Sequence, residues 1–463
     1  MIPIVTPEEM GAIDAAAPEP VDVLIARAGA AVAREALRLL GGAYGRRVVV
    51  LAGKGNNGND GRAAAERLRL RGVRCTVVDA ADAPASLPPA DLVIDAAYGT
   101  GFRGDFAPPA VRGREPGDDP LVLAVDIPSG VTGLTGEASG RPLSATATVT
   151  FAALKPGLLL GDGPALAGDV AVADIGLDVS SASAHLVEGR DLRVWLPARP
   201  VNGHKWQTSV WLVAGSAGMT GAAHLAAAAS QRAGAGYVRL SSPGVADDPQ
   251  RPTEAVGVPL PAERWAANVL GSDLDRFGAL AVGPGLGTGN GTAAEVRSLV
   301  AEAEALPVVV DGDGLTALGT DAADVIGARH PSAPPVVLTP HDGEAERLLG
   351  KAPGPDRIAV ARDLAARTGA VVLLKGSTTV VADPGGQVLV STTGDARLAT
   401  AGTGDVLSGT IAALLAQGVP ALRAAAGGAF LHGRAGALAW PRGLVASDVV
   451  RHLPAALTEL LED

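Results

Sequence analysis

Short apolar runs alternate with amphipathic segments through the first half of the chain. Arg47–Ala52 (RVVVLA) reads as a buried strand and Gly58–Arg71 as the helix after it, with further strands at Cys75–Val78, Leu92–Ala96, Leu121–Val125 and Thr146–Phe151. Strands separated by helix-length spacers predict βαβ units and a parallel sheet. Residues 20–40 carry an Ala- and Leu-rich helical pattern suited to cover one face of it. Between roughly 176 and 208 the periodicity weakens, and an Arg/Pro-rich stretch ends in Pro197-Ala198-Arg199-Pro200, which marks a boundary. A second alternation starts at Val210, with strand VWLVAG, a helix over about 220–234 and strand YVRLSS. More strands are expected at Ala279–Val282, Val308–Val310, Val336–Leu338, Val371–Leu374 and Thr379–Val381, then helices near 403–417, 421–439 and 447–461. The pattern is that of two α/β domains in tandem, 1–190 and 191–463, without a short repeat.

Composition narrows the function. With Lys+Arg 38 against Asp+Glu 49, the chain of 463 residues carries −11, which argues against a nucleic-acid coat or an anionic-membrane binder. Trp 5, Tyr 3 and Phe 5 leave too few rings for base-stacking platforms. A lone cysteine, Cys75, forms no intrachain disulfide and no thiolate cluster. The opening MIPIVTPEEMGAID lacks the basic region and apolar run of a secretory signal, and no stretch approaches the length of a membrane span. The expectation is a soluble, cytoplasmic protein with no nucleic-acid or membrane partner. A homo-oligomer is compatible with this reading, although no interface can be located.

Glycine is so common, 61 residues, that roughly eight GxG triplets would arise by chance. The informative ones follow a strand and open a helix, where free N–H groups and the helix dipole hold phosphate. Three segments meet that test: Gly53–Gly61 (GKGNNGNDG), Gly283–Gly289 (GPGLGTG) and Ala401–Gly409 (AGTGDVLSG). Ordinary turn glycines are the plain alternative, strongest for the second. In the first and third an acid stands beside the expected anion site, a placement that is costly without another purpose. Lysine is scarce, yet Lys54 and Lys375 both fall in motif-like turns, GKGNN and LLKGSTT, where a solvated strand-end lysine is the competing reading.

At GKGNNGNDG the first half resembles an NAD(P)H-hydrate epimerase domain, and the second half is similar to the ribokinase-like NAD(P)H-hydrate dehydratase domain. The resemblance covers about residues 5–460 and implies a Rossmann-like three-layer domain followed by a ribokinase-like domain. The family's NNGGDG loop stands here as Asn56-Asn57-Gly58-Asn59-Asp60-Gly61, with Asn59 in place of a glycine. Asn tolerates positive φ better than most residues, so the loop is expected to survive. By resemblance Asn56, Asn57, Gly58, Asn59 and Asp60, with Gly99, Thr100, Gly101, Phe102, Arg103, Gly104 and Asp105, contact the dinucleotide. Asn57, Asp95 and Ser129 would supply oxygens to a potassium ion (K+), and Asp126 of Val125-Asp126-Ile127-Pro128-Ser129-Gly130 would meet the reacting ring. Amide, carboxylate and hydroxyl oxygens do suit a hard cation. Asp95 and Asp126 end expected parallel strands, where doubly wound sheets place ligands, although Asp126 also reads as a turn acid before Pro128.

In the second half, Gly215–Ala223, Gly283-Pro284-Gly285, Leu338–Glu344, Lys375–Thr379 and Ala401–Asp405 match later motifs of the same family. The resemblance puts Ala222, Gly285, His341 and Asp405 on the hydrated dinucleotide, and Lys375, Gly376, Ser377, Thr378, Thr379 and Gly404 on the adenine nucleotide. His341 taken alone reads as a structural strand-end histidine. The implied activity is repair of hydrated NADH and NADPH. The R and S hydrates would interconvert, with Asp126 as acid/base. ADP would then drive dehydration of the S hydrate with Mg2+, Asp405 acting as base. Lys54, Arg103, Lys375 and bound cations would offset the negative field of the chain. The alternative is a ribokinase-like small-molecule kinase with a non-catalytic N-terminal ligand-binding domain, since hydroxyl phosphorylation uses the same parts.

Overall fold

In the computed structural model, which describes residues 1–115 and 117–462, the chain divides into two compact units, Ile2–Ser183 and Ala184–Asp463 with Met1. The break precedes the Arg/Pro-rich stretch because residues 184–195 already form a strand and a helix of the second unit.

The first unit opens with the short strand β1 (Ile2–Ile4) and carries a sheet of β2 (Arg47–Ala52), β3 (Arg74–Asp79), β4 (Leu92–Ala96), β5 (Leu121–Val125), β6 (Ala147–Phe151) and β7 (Asp169–Ala173). Their order is β3-β2-β4-β5-β6-β7, all parallel, with Leu51 opposite Asp95 and Asp95 opposite Ala124. β2 and β4 are apolar on both faces, as a strand covered on each side by helices must be. The helices Val21–Leu40 and Asn56–Leu70 pack on one face, and Gly29 lets them touch: a Cβ there would lie 2.5 Å from Ala63 Cβ.

The second unit contains β8 (Ala184–Leu186), β9 (Ser209–Val213), β10 (Tyr237–Ser241), β11 (Val256–Gly257), β12 (Ala279–Val282), β13 (Val308–Val310), β14 (Val336–Leu338), β15 (Val371–Leu374), β16 (Thr379–Ala382) and β17 (Val388–Ser391). Within the unit they run β8-β17-β16-β15-β14-β13-β12-β9-β10-β11, with β16 antiparallel to both its neighbours and the remaining pairs parallel. The last helices, Thr403–Ala416, Ala421–Leu438 and Ala446–Glu462, lie where the sequence pattern predicts them. The first of them is buried along most of its length because it lies over the sheet beneath two flanking helices.

The first glycine loop shows why small residues are needed at the strand ends. A Cβ on Gly53 would lie 1.9 Å from the Ala97 carbonyl oxygen, and one on Gly58 would lie 2.0 Å from that of Gly53. The turns after β2 and β4 therefore meet backbone to backbone. Asn59 corrects the expectation attached to it: it sits inside the helix Asn56–Leu70 and is absent from the positive-φ positions, so glycine's freedom is not required there. Gly53→Ala should lower stability by about 1–3 kcal/mol through overpacking, read as a lower thermal midpoint. An unchanged midpoint would mean that the two turns can separate at little cost.

Candidate functional site

In the first unit the carboxyl ends of β2, β4, β5 and β6 border a cavity of about 390 Å³. Asn56, Asn57 and Asp60 enter it from the first helical turn after β2, Gly99–Phe102 from the turn after β4, and Asp126 from the end of β5. The helix Asn56–Leu70 has Gly55 as its N-cap and no side-chain cap, which leaves first-turn N–H groups for a ligand. Gly58, Asn59, Arg103, Gly104 and Asp105 lie outside the residues that border the cavity. Gly58 packs on Gly53 instead, and the Arg103 guanidinium donates to the Phe102 carbonyl at 2.8 Å. Lys54 is exposed and also lies outside the lining.

Asp126 is one of the few non-glycine residues with positive φ, at 67°. Such strain persists only where surrounding contacts impose it. The contacts here are specific: Lys155 Nζ lies 2.7 Å from Asp126 Oδ1 with 1% of its side chain exposed. Lys155 also donates to Thr150 Oγ1 at 3.0 Å and to the Phe151 carbonyl at 2.8 Å, while the Thr150 hydroxyl donates to Asp126 Oδ1 at 3.1 Å. Lys155 follows β6 in FAALKPG and was missed in the sequence, although lysine's scarcity offered a signal. Asp14, from the helix Pro7–Ala15, also lines the cavity, and burial raises its carboxyl against the pull of Lys155. Burial, reinforced by Asp126 and Asp14, pushes Asp60 up to about 8.

Asp95 and Ser129 are brought together beneath these groups. The Ser129 hydroxyl approaches Asp95 Oδ1 at 2.6 Å and its N–H donates to Asp95 Oδ2 at 2.9 Å, while burial raises the carboxyl. Asn57 Oδ1 and Nδ2 are buried with no partner in the protein. An unsatisfied amide beside the cavity is a costly arrangement unless a ligand completes it.

In the second unit three adjacent parallel strands each deliver a polar residue: Asp311 after β13, Thr339 after β14 and Lys375 after β15. Lys375 Nζ lies 2.7 Å from Asp311 Oδ1 and 3.6 Å from Glu344 Oε2. Thr339 Oγ1 donates to Asp311 Oδ1 at 2.7 Å and Ser408 Oγ to Asp311 Oδ2 at 2.6 Å. Against the penalty of burial, Lys375 and these hydroxyls hold the Asp311 carboxyl below its usual range. Lys375 is thus an ion-paired residue rather than a solvated one. Asp311 was not singled out in the sequence, though an acid directly after VVV in VVVDGDG marks a strand end.

Asp405 lies in the first turn of the helix Thr403–Ala416, whose N-cap Gly402 has φ 90° and no capping side chain. Burial, then the nearby Asp311, pushes its carboxyl up to about 7, with Lys375 opposing and Asp313 adding. A cavity of about 630 Å³ adjoins this turn and is lined by Lys375, Gly376, Ser377, Thr379 and Gly404, with His341. Thr378, Asp405, Ala222 and Gly285 do not line it. Ala222 and Gly285 face each other elsewhere: a Cβ on Gly285 would lie 3.0 Å from Ala222 Cβ. Asp313, one of the acids coupled to Asp405, accepts the Gly287 N–H at 2.8 Å in the turn that carries Gly285. His341 caps the helix Asp342–Leu349 through Nδ1, which accepts from the Gly343 N–H at 3.0 Å, and its side chain stays 56% exposed. The structural reading of His341 therefore holds for Nδ1, while Nε2 lies 3.6 Å from Glu344 Oε2. Among the described residues no group of three or more His, Cys, Asp or Glu forms a preassembled metal site, and no helix is long and apolar enough to cross a membrane.

Residues 210–455 match the family described as NAD(P)H-hydrate dehydratase, and residues 21–85 and 78–157 match the YjeF-related protein N-terminus. The bifunctional NAD(P)H-hydrate repair enzyme of Moorella thermoacetica is 38% identical, over 99% of this chain and 97% of that protein. The protein of the same name from Mycobacterium leprae is 38% identical over 95% of this chain and 96% of its own length. A solved ribokinase-like superfamily protein from Enterococcus faecalis superposes with a TM-score of 0.53 at 24% identity, over 60% of this chain and 96% of that one, which shows the fold of the second unit.

The raised Asp60 carboxyl fixes a sign. The folded chain keeps this proton up to about pH 8, whereas an unfolded carboxyl releases it near 3.8. Its contribution to stability is complete below the lower value and is lost as pH rises through the upper one. Asp60→Asn should therefore be more stable than the parent near pH 9 by about 1–3 kcal/mol, with a flatter slope between pH 5 and 8 in urea unfolding. Parallel pH profiles for the two proteins would show that Asp60 ionises freely in the fold.

Proposed function

The chain belongs to the bifunctional NAD(P)H-hydrate repair enzymes, and from that premise we propose that its first unit interconverts the R and S hydrates of NADH and NADPH while its second dehydrates the S form with consumption of ADP. The observation that carries the reading is the pairing of two cavities in one chain. Each adjoins an uncapped helix N-terminus, and each has an aspartate held by a buried lysine network. The small-molecule kinase alternative is not favoured, because the relatives align along both units rather than the second alone.

In the first cavity the hydrated ring lies against Asp126. Loss of water from the hydroxyl-bearing carbon leaves a ring cation, and return of water to the opposite face inverts that centre. Asp126 gives a proton to the departing hydroxyl, so that it leaves as water, and takes one back from the water that adds to the opposite face; Lys155 and Thr150 fix its carboxyl group in place. Asp60, protonated near neutral pH, donates a hydrogen bond without adding charge beside a pyrophosphate. The orphaned amide of Asn57, with the oxygens of Asp95 and Ser129, fits a hard monovalent cation such as potassium. When bound, that ion supplies positive charge that orients the turn oxygens and the phosphates.

In the second unit Asp405 removes the proton from the hydrate hydroxyl as its oxygen attacks the terminal phosphorus of ADP and AMP departs. A carboxyl poised near 7 is well matched to accept a proton at neutral pH. The N–H groups at the start of the helix Thr403–Ala416 stabilise charge on the transferring phosphoryl group. Phosphate then leaves the ring carbon while the neighbouring carbon loses a proton, which restores the reduced nicotinamide and yields AMP and phosphate. Lys375, Gly376, Ser377, Thr379 and Gly404 form the nucleotide side of this arrangement, and Ala222 and Gly285, which meet outside that cavity, form the hydrate side with His341. Mg2+ would reach the site on phosphate oxygens, where it neutralises charge. A single free cysteine supports a reducing, cytoplasmic compartment as part of this reading.

Recovery of reduced-nicotinamide absorbance from mixed NADH-hydrate epimers, with ADP or ATP and Mg2+, tests both units in one assay. Complete conversion is expected from the parent, and Asp126→Ala should stop at the S fraction. Asp405→Asn should lose about 10²–10⁴-fold in turnover while nucleotide affinity stays within a few-fold. Full conversion by Asp126→Ala, or near-normal turnover by Asp405→Asn, removes the corresponding residue from its role. A stable phosphorylated product would replace the dehydratase by a kinase.

A further inference from the structure

The lining of the nucleotide cavity combines polar groups, Lys375 and the turn at Gly404, with the apolar side chains of Leu398, Leu407 and Ala429. Phosphates require the cation and the helix N-terminus, so the flat, largely apolar base of the nucleotide falls to the apolar part of the lining. Several polar side chains of the lining are already committed. Thr403 Oγ1 donates to the carbonyls of Leu398 and Thr400, Thr400 Oγ1 donates to the carbonyl of Arg397, and Asp395 is ion-paired with Arg397.

His432 differs. It projects from the helix Ala421–Leu438, lines the cavity beside Ala429 and Gly433, and is 7% exposed. Its Nε2 is buried without a hydrogen-bond partner, the one such side-chain atom among the described residues lining this cavity. A buried, unsatisfied ring nitrogen is expensive unless a ligand completes it.

Resting on the adenine-nucleotide reading of this cavity, we infer that His432 selects the base: Nε2 accepts the exocyclic amino group of adenine and disfavours a 6-oxo purine. The orientation of the ring follows from its other contact. A hydrogen bond to the Thr403 backbone favours the protonated ring, so the imidazole donates there, to a carbonyl. Since Nε2 is the unpartnered nitrogen, Nδ1 carries the hydrogen and Nε2 presents a lone pair. Burial pushes the imidazole down to about 4, which keeps it neutral throughout the working pH range. Adenine offers a donor to that lone pair. Hypoxanthine would set an oxygen lone pair against it, and unsubstituted purine would leave it unsatisfied.

Titration calorimetry of the full chain with ADP, IDP and purine-riboside diphosphate reads this directly. The parent should bind ADP about tenfold more tightly than either analogue, the range of one buried hydrogen bond. His432→Leu should weaken ADP to the level of the analogues and leave those nearly unchanged. Equal affinities in the parent, or an ADP preference that survives in His432→Leu, would overturn the assignment while leaving the nucleotide site in place. Failure of the parent to bind any of the three removes the site and the inference together. Should His432→Leu not fold, the comparison of purine-riboside diphosphate with ADP on the parent decides alone, because it deletes only the amino group.

Discussion

Lys155, fully buried, and Lys375, partly buried, each pair with an aspartate, and the candidate site of each unit is arranged around that pair. Lys155 reaches Asp126 at 2.7 Å and Lys375 reaches Asp311 at 2.7 Å, both beyond the carboxyl ends of parallel strands. A buried charge without its partner is strongly destabilising, whereas a fully hydrogen-bonded pair is tolerated, so each pair carries further bonds. For Lys155 these go to Thr150 and the Phe151 carbonyl; around Asp311 they come from Thr339 and Ser408. The two pairs have different consequences. In the first unit the paired aspartate is itself the residue facing the cavity, held at positive φ. In the second the paired aspartate sits behind the site, and its charge helps to raise Asp405.

Much of this was legible in the sequence, for a definite reason. A strand covered on both faces must be apolar at nearly every position, so RVVVLA, LVIDA and VVLL announce themselves, and each leads into a turn at the ligand-binding edge. Asp95, Asp126 and Lys375 stand out that way. The strands that escaped are those this rule does not reach. β7 has a mostly exposed pattern, β8 and β11 are only a few residues long, and β17 returns antiparallel from β16 across a tight turn, breaking the strand–helix rhythm.

The site was legible in its backbone rather than in its partners. Glycine motifs report where the chain must approach itself or a ligand, and Gly53 and Gly285 both mark such close approaches. A motif names a contiguous stretch, whereas the cavity takes only part of it: of residues 99–105, Gly99–Phe102 border it, and the Arg103 guanidinium bonds to the Phe102 carbonyl. Lys155, Asp311 and His432 went unnoticed because their significance lies in the neighbours that folding brings to them. Asp311 meets Ser408 and Lys375, and His432 matters only through a buried Nε2 that no protein group satisfies. No pattern along the chain states that a nitrogen lacks a partner.

These groups also resolve the difficulty posed by a chain of net charge −11 whose ligands are anionic. Free lysines near the phosphates are not the solution, since Lys54 lies outside the first cavity and Lys375 is engaged with two carboxylates. The acids at the sites are handled instead. Asp60 and Asp405 hold protons to about 8 and about 7, which removes much of their charge near neutral pH. Asp126 and Asp311 are each paired with a lysine. The groups left open to a phosphate are uncapped helix N–H groups, donors that bind anions without demanding a compensating side chain. An acidic protein can thus present neutral, donor-rich cavities, and carboxyls kept protonated by burial are then available for proton transfer without repelling the substrates they serve.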